Sequence, residues 1–196
     1  SDVCSSDLLA ADIPLLFGVC MRVVRQLGAA YGVDPNAPGE GVIAAAEDAL
    51  RTGTRALCVI SAGFAETGPE GVERQERLLG LARAHGARLV GPNCLGIINT
   101  GNGLTASFSS LLVDFPNLIP GAVSMVSQSG GISITAHAKA QQLGLGFRAT
   151  ISCGNEALLS IGDFITALAQ DYGTRVIAVY AEGFSDPDAF IAGLTA

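Results

Sequence analysis

The 196 residues contain no tryptophan and only two methionines, and charged side chains make up just 15% of them. Low charge beside 49% hydrophobic residues excludes a disordered chain, which needs the reverse balance. The charge that is present leans acidic, with 11 Lys and Arg against 18 Asp and Glu, a formal −7. No basic stripe exists to neutralise phosphates, which argues against nucleic acid or an anionic membrane as partner. A polyanionic ligand would therefore be held by local features. No apolar run approaches the roughly 20 residues of a membrane span, and no signal peptide is recognisable. The five cysteines, Cys4, Cys20, Cys58, Cys94 and Cys153, are odd in number and form no C-x-x-C pair. Neither a disulfide framework nor a zinc site is indicated, and a cytoplasmic location is expected.

What the chain does have is glycine, 25 of them, set between short apolar runs. Residues 1–36 stand apart: the opening SDVCSSDL resembles translated adapter sequence, and 9–36 match nothing later, so this stretch is read as non-native or chimeric. Within it, 13–31 is helix-permissive after Pro14, and 32–39 is loop-like. From residue 40 a rhythm emerges. An alanine-rich helix over 40–51 precedes a strand over 56–61 (ALCVIS), a helix over 70–85 and a strand over 87–90. Residues 91–120, rich in Gly, Asn, Ser and Pro, read as a functional connector and the domain boundary. Alternation then resumes: strand 122–127, helix 130–143, strand 147–152, helix 158–171, strand 175–180 and a helix over 186–194. In the helix at 158–171, Leu158, Ile161, Ile165 and Leu168 recur at i, i+3, i+7 and i+10. Such alternation predicts an α/β fold with parallel sheets and ligands at the carboxyl ends of the strands.

Each unusual loop follows a strand. VSQSGG (126–131) joins a strand to a helix. Ser127 and Ser129 can cap the helix or donate to an anion, and Gly130 and Gly131 allow close backbone approach to a phosphate. An ordinary ligand-free N-cap explains the motif equally well. A hydrolase nucleophile elbow at Ser129 is disfavoured, because Ser127 stands where G-x-S-x-G needs glycine and His137 lies about two turns into the helix. In VGPNCLGI (90–97), Pro92 fixes a turn, Asn93 offers donor and acceptor, and Cys94 is more readily a buried inert thiol than a nucleophile. In SAGFAETG (61–68), the small residues Ser61, Ala62 and Gly63 admit a flat ligand, while Glu66 reads as a solvated carboxylate. In YAEGF (180–184), Glu182 at the end of a strand predicted to be buried can orient a histidine or simply favour a helix N-terminus. SCGNEA (152–157) is a further strand-end turn expected to shape the same pocket.

Taken in order, ISAGFAETG, LVGPNCLGIINT, VSQSGG, SCGN and TRVIAVYAEGF resemble the NDP-forming acyl-CoA synthetase family, which includes ADP-forming acetate–CoA ligase and is related to the succinyl-CoA synthetase alpha subunit. The likeness runs from about residue 40 to residue 196. It implies the C-terminal part of a Rossmann-like CoA-binding domain over 37–118, and a truncated flavodoxin-like ligase domain over 119–196. It implies an acid–thiol ligase that joins a small carboxylic acid to CoA with NTP through a phosphohistidine. By motif position, Ser127, Ser129, Gly130 and Gly131 would cradle the phosphate, and Glu182 would contact the catalytic histidine. Ser61, Ala62, Gly63, Asn93 and Cys94 would lie beside CoA. ATP or ADP and Mg would be bound by an ATP-grasp domain or subunit outside this sequence, in an oligomeric enzyme.

The sequence departs from the family in two places. The glycine-rich first strand–turn–helix that takes much of the CoA is not recognisable before residue 40. Neither His85 nor His137 stands where the phosphorylated histidine belongs, which falls beyond residue 196. The stretch is accordingly expected to be inactive alone. A non-catalytic module that senses CoA or acyl-CoA is the alternative.

Overall fold

The computed structural model describes residues 39–195; the features read from 1–38, including Cys4 and Cys20, lie outside the described residues. Gly39, with φ 98°, turns the chain into helix α1 (Glu40–Arg51). The buried residues of α1 are Gly41, Val42, Ile43, Ala45, Ala46 and Leu50, of which Val42, Ile43, Ala46 and Leu50 join the core along one helical face. Strand β1 (Ala56–Cys58) pairs in parallel with β2 (Arg88–Val90), and helix α2 (Pro69–Ala84), opened by its proline, crosses between them. α1 and α2 pack on each other and on these strands around Phe64, Leu78 and Leu89, all fully buried.

The stretch 91–120 is more ordered than its composition suggests. It folds into the antiparallel hairpin β3 (Gly96–Asn99) and β4 (Leu104–Ser107), then a short helix α3 (Leu111–Asp114). The many Asn and Gly residues that read as a connector are the turn itself. Asn99 Oδ1 accepts from Gly101 N at 2.9 Å, Asn102 Oδ1 accepts from Leu104 N at 3.1 Å, and Gly103 takes φ 77°.

The larger sheet adds β5 (Pro120–Ser127), β6 (Phe147–Ser152) and β7 (Val176–Tyr180) in the order β4-β3-β6-β5-β7. β5 is parallel to both β6 and β7, as strand–helix alternation predicts, while β3 joins β6 antiparallel. The expected parallel sheet is therefore a parallel core with an antiparallel extension, because a two-strand hairpin needs no crossover helix. Helices α4 (Gly130–Gln142), α5 (Ile161–Ala169) and α6 (Pro187–Leu194) complete the chain. α5 starts later than its periodicity suggests. Leu159 N is bonded to Leu89 O at 3.2 Å, and the helix is then opened by a capping box between Ser160 and Asp163. Strand β7, predicted to be buried, lies at the sheet edge among the described residues, with Val176 56% and Tyr180 38% exposed. An unbroken apolar run such as VIAVY matches a central strand and an edge strand alike, so only the pairing decides.

One core cluster runs through both halves, joining Cys58, Val90 and Cys94 to Ile97, Val126, Ile151 and Phe164. Two polar contacts brace its periphery. Arg148 donates through Nε and Nη2 to the two carboxylate oxygens of Asp171, both at 2.9 Å, and Thr174 Oγ1 donates to the same carboxylate at 2.8 Å. The Arg148 bonds hold the Asp171 carboxyl down to about 2. His137 on α4 is fully buried against β6, its Nδ1 2.9 Å from the Thr150 hydroxyl and its ring 4.8 Å from that of Phe147. Its Nε2 is the one buried side-chain polar atom without a partner among the described residues.

Both groups make stability depend on pH. Burial lowers the His137 pKa to about 4, so the unfolded chain takes up a proton on this side chain before the folded one does. The stability that this provides is complete above the ordinary histidine range and falls by up to about 3 kcal/mol as pH drops through it towards 4. In urea titrations, His137→Gln is expected to flatten this loss between pH 7 and 4.5 relative to the native sequence. Asp171→Asn is expected to cost about 1–2 kcal/mol near pH 7, and the deficit should narrow below about pH 4, where the unfolded chain's Asp171 takes up a proton while the folded carboxylate stays ionised until about pH 2.

Candidate functional site

The carboxyl ends of β1, β2, β5, β6 and β7 carry the loops at 59–64, 91–95, 128–130, 153–159 and 181–185, and these loops are tied together. The tightest tie is made by backbone. Asn155 N donates to Pro92 O at 2.9 Å, Ala157 N to Gly91 O at 3.1 Å, and Asn93 N to Ser61 O at 3.0 Å. Gly154 takes φ 57° beneath the Pro92–Asn93 turn, and a Cβ there would lie 2.2 Å from Pro92 O. Only glycine permits that approach.

At the cradle, β5 ends in Ser127, fully buried, whose hydroxyl donates to Ser129 O at 2.7 Å. Ser127 thus shapes the turn and does not face a ligand. Ser129 is the N-cap of α4, its Oγ accepting from Ile132 N at 3.4 Å. The leading amides of a helix have no carbonyl partner within it, so those of Gly130 and Gly131 are free to meet an anion at the positive end of the dipole. The two glycines differ. A Cβ on Gly130 would meet Leu95 Cγ at 2.6 Å, whereas one on Gly131 would meet nothing within 4 Å. Gly130 is therefore where the GPNCLG loop packs on the cradle, and Gly131 is the open position.

On the CoA side, Asn93 is exposed in the left-handed region with φ 57°, its Nδ2 donating to Asn155 Oδ1 at 3.2 Å. Asn155 Nδ2 donates to Gln75 Oε1 at 3.0 Å and to Glu66 Oε2. Glu66 Oε1 in turn accepts from Gly63 N at 2.6 Å and Phe64 N at 3.1 Å. Burial alone would raise the Glu66 carboxyl, but the donors from Asn155, Phe64 and Gly63 outweigh it and hold the group below its ordinary value. Glu66 is exposed, as the reading of a solvated carboxylate expects, and it also closes the loop that carries Ser61, Ala62 and Gly63. Of these, Ala62 is exposed, Ser61 half-buried and Gly63 buried.

Cys94 turns inward. Its thiol is buried, donates to Val59 O at 3.4 Å and lies 4.0 Å from Cys58 Sγ. Its side chain belongs to the core and not to the loop surface where a cofactor would lie. Cys153 is buried as well, and burial, with the Glu156 carboxylate beside it, pushes its thiol far up. Neither histidine approaches the cradle. His85 Nδ1 is 3.0 Å from Leu81 O on α2, and His137 is walled in against Thr150. Ser129 thus has no imidazole base, and the hydrolase reading lacks its second member.

The residues that bind the site together were not singled out in the sequence. Gln128 bonds the loop at 181–185 through its side-chain amide. Glu156, 9% exposed with φ 53°, accepts from Gln128 Nε2 at 3.1 Å and from Ser185 Oγ at 2.9 Å. Nothing local marks either one. The signal available was position alone, since each sits beside a glycine-rich strand end. Glu182 itself is exposed at this junction, its N–H held by Gln128. Among the described residues no group of three or more His, Cys, Asp or Glu is placed to hold a metal ion, and no helix is long and apolar enough to cross a membrane.

Comparison with known proteins points to one family. Residues 120–196 match the family profile described as the succinyl-CoA ligase like flavodoxin domain. The chain is 38% identical over 154 residues to the ADP-forming acetate–CoA ligase I of Archaeoglobus fulgidus, covering 79% of this chain and 22% of that protein. It is 37% identical over 139 residues to the alpha subunit of the ADP-forming acetate–CoA ligase II of Pyrococcus furiosus, covering 71% and 29%. The apo structure of dinucleotide forming acetyl-coenzyme A synthetase 1 from Ca. Korarchaeum cryptofilum superposes with a TM-score of 0.72 at 29% identity, covering 80% of this chain and 33% of that one. The chain thus spans about a fifth to a third of the length of these relatives. Identical at 38% and 37% to these ADP-forming ligases over 79% and 71% of its length, and matching the ligase flavodoxin domain over residues 120–196, the chain belongs to the NDP-forming acyl-CoA synthetase family.

Proposed function

We propose that this chain supplies the CoA-side loops and the phosphate cradle of an acyl-CoA synthetase that joins a carboxylic acid to CoA at the expense of an NTP, through a phosphohistidine. The observation that carries this reading is the packing of Leu95, in the GPNCLG loop, on Gly130 at the start of α4. That contact sets the loop expected to meet the CoA thiol directly against the helix start expected to meet a phosphoryl group. Group transfer between thioester and phosphate needs this proximity.

Each residue then has a task. The amides of Gly130 and Gly131, with the α4 dipole behind them, hold the phosphoryl oxygens. Ser127 and Ser129 act by shaping and capping that helix start. Glu182, exposed on the neighbouring loop, orients the incoming imidazole and favours its charged form. Ser61, Ala62, Gly63 and Asn93 border the CoA, and Cys94 supports them from the core. Because His85 and His137 are both held away from the cradle, the phosphorylated histidine comes from elsewhere in the complete enzyme, so the stretch is inactive alone. An ATP-grasp domain or subunit binds ATP or ADP and Mg. The proposed domains are 37–118 and 119–196, with the first lending the β3–β4 hairpin to the sheet of the second. A cytoplasmic, oligomeric enzyme completes the proposal.

Gly131 provides the test. Because a side chain there meets open space, Gly131→Asp is expected to fold normally, and its carboxylate at a helix N-terminus is if anything stabilising. That carboxylate would also occupy and repel the anion site. Inorganic phosphate titrated into the native protein is expected to shift the Gly130 and Gly131 amide resonances saturably, with a dissociation constant on the order of millimolar. Gly131→Asp should abolish the response while leaving thermal stability unchanged. Unshifted amides in the native protein would overturn the cradle.

A further inference from the structure

Gln128 lies between the two serines of VSQSGG, and all four hydrogen-bonding positions of its side-chain amide are used. Oε1 accepts from the N–H groups of Glu182 at 2.6 Å and Gly183 at 3.1 Å. Nε2 donates to Gly183 O at 2.8 Å and to Glu156 Oε1 at 3.1 Å. Its main-chain N–H donates to Tyr180 O at 3.1 Å, which extends the β5–β7 ladder to the end of β7. From there the side chain takes over and pins the two residues that follow Ala181. Glu156 extends the connection, since its Oε2 accepts from Ser185 Oγ at 2.9 Å and its Oε1 from Ile161 N at 3.3 Å.

The loop needs such an anchor. It follows a strand with no neighbour on its outer side among the described residues, and Glu182, Gly183, Phe184 and Ser185 are all exposed. Apart from these polar ties, the loop is held by Phe184, whose ring sits 4.5 Å from that of Phe190 on α6. A glutamine is suited to the task in a way an apolar or charged residue is not, because one planar group both accepts from two amides and donates to a carbonyl and a carboxylate.

We infer that Gln128 is a positioning residue that fixes Glu182 relative to the phosphate cradle, so that cradle and acid move as one unit. The inference rests on the role proposed above for Glu182. Gln128 is one residue from the N-cap of α4 and grips the backbone of Glu182 itself, so one side chain ties the start of the helix directly to the backbone that carries the acid. Glu156, rooted at the end of β6, keeps that side chain from swinging away. Small displacements of positioning groups cost about a hundredfold in rate, which makes the clamp kinetically visible.

Two readouts test it. Amide hydrogen exchange at Glu182 and Gly183 reports the clamp directly. Turnover and CoA KM, measured in the synthetase complete with its ATP-grasp and histidine-bearing parts, report its consequence. Gln128→Leu is expected to quicken exchange at both amides by about tenfold or more, as loss of their acceptor implies. It should lower kcat at least about tenfold with KM for CoA nearly unchanged, because the amides lost hold the acid and not the CoA loops. The double variant Gln128→Leu/Glu182→Gln should be no slower than Glu182→Gln alone, since a positioning residue has nothing left to position. Unchanged exchange in Gln128→Leu, or additive losses in the double variant, would overturn the inference. Should Gln128→Leu not fold, Gln128→Glu is read in its place. It keeps an acceptor for the two amides but loses the donor to Gly183 O and Glu156, so intermediate exchange and turnover are expected, and native values in both would overturn the clamp. If Glu182→Gln itself leaves turnover intact, the role proposed for Glu182 fails. Exchange at 182–183 then shows separately whether Gln128 holds the loop.

Discussion

Residues 153–159, laid along the carboxyl end of β2, hold the two sheets of this molecule together. Asn155, Ala157 and Leu159 donate in turn to Pro92, Gly91 and Leu89, an alternating backbone ladder outside any regular sheet. The ladder is possible because Gly154 has no side chain where the Pro92 carbonyl presses in. Through it the end of β6 is bonded to the end of β2, and the hairpin β3–β4, which follows Pro92 directly, is delivered onto the open edge of β6. The core cluster that spans both sheets, from Cys58 to Phe164, is sealed on this side by the same segment.

The site that results has few charges and many amides. The proposed anion site of this negative chain has no basic surface, and the structure offers helix-start N–H groups at Gly130 and Gly131 in place of lysines. Around them the polar side chains are engaged with one another: Gln128 with Glu156, Asn93 with Asn155, Asn155 with Glu66. Networks of this kind are costly when half satisfied and stiff when complete, which suits loops that must hold a geometry at the open end of a sheet. The described thiols and His137 are all buried beneath these loops or within the core, and Cys153 donates to Ser127 O at 3.1 Å, so they support the site and do not face it.

Much of the fold was legible because its signals are local. The alanine face of α1, the proline that opens α2, the short apolar strands and the amphipathic spacing in α5 each follow from a few adjacent residues. The hairpin at 96–107 was not legible. IINT and LTAS are too short to show alternation, and the Gly and Asn residues between them signal a turn and a loop equally. β7 shows the same difficulty in reverse. Its apolar run has the composition of a central strand, yet its partner on one side is missing among the described residues. At the candidate site, the motifs VSQSGG, GPNCLG and YAEGF lie in neighbouring strand-end loops, while Cys94 and Ser127 point away from the surface they were expected to line.

The sequence by itself determined where the unusual strand-end loops fall, because glycine, proline and capping serines act on their own backbone within a few residues. It also determined the family, through the order of those loops along the chain. Tertiary structure alone decided which side chains join them. Gln128 meets Glu182 across 54 positions of chain, and Asn155 meets Glu66 across 89. A hydrogen bond leaves no trace in sequence when its partners are brought together only by the crossing of parallel strands. The cradle and its acid were therefore readable separately, and the glutamine that holds one to the other became visible only once the strands were in place.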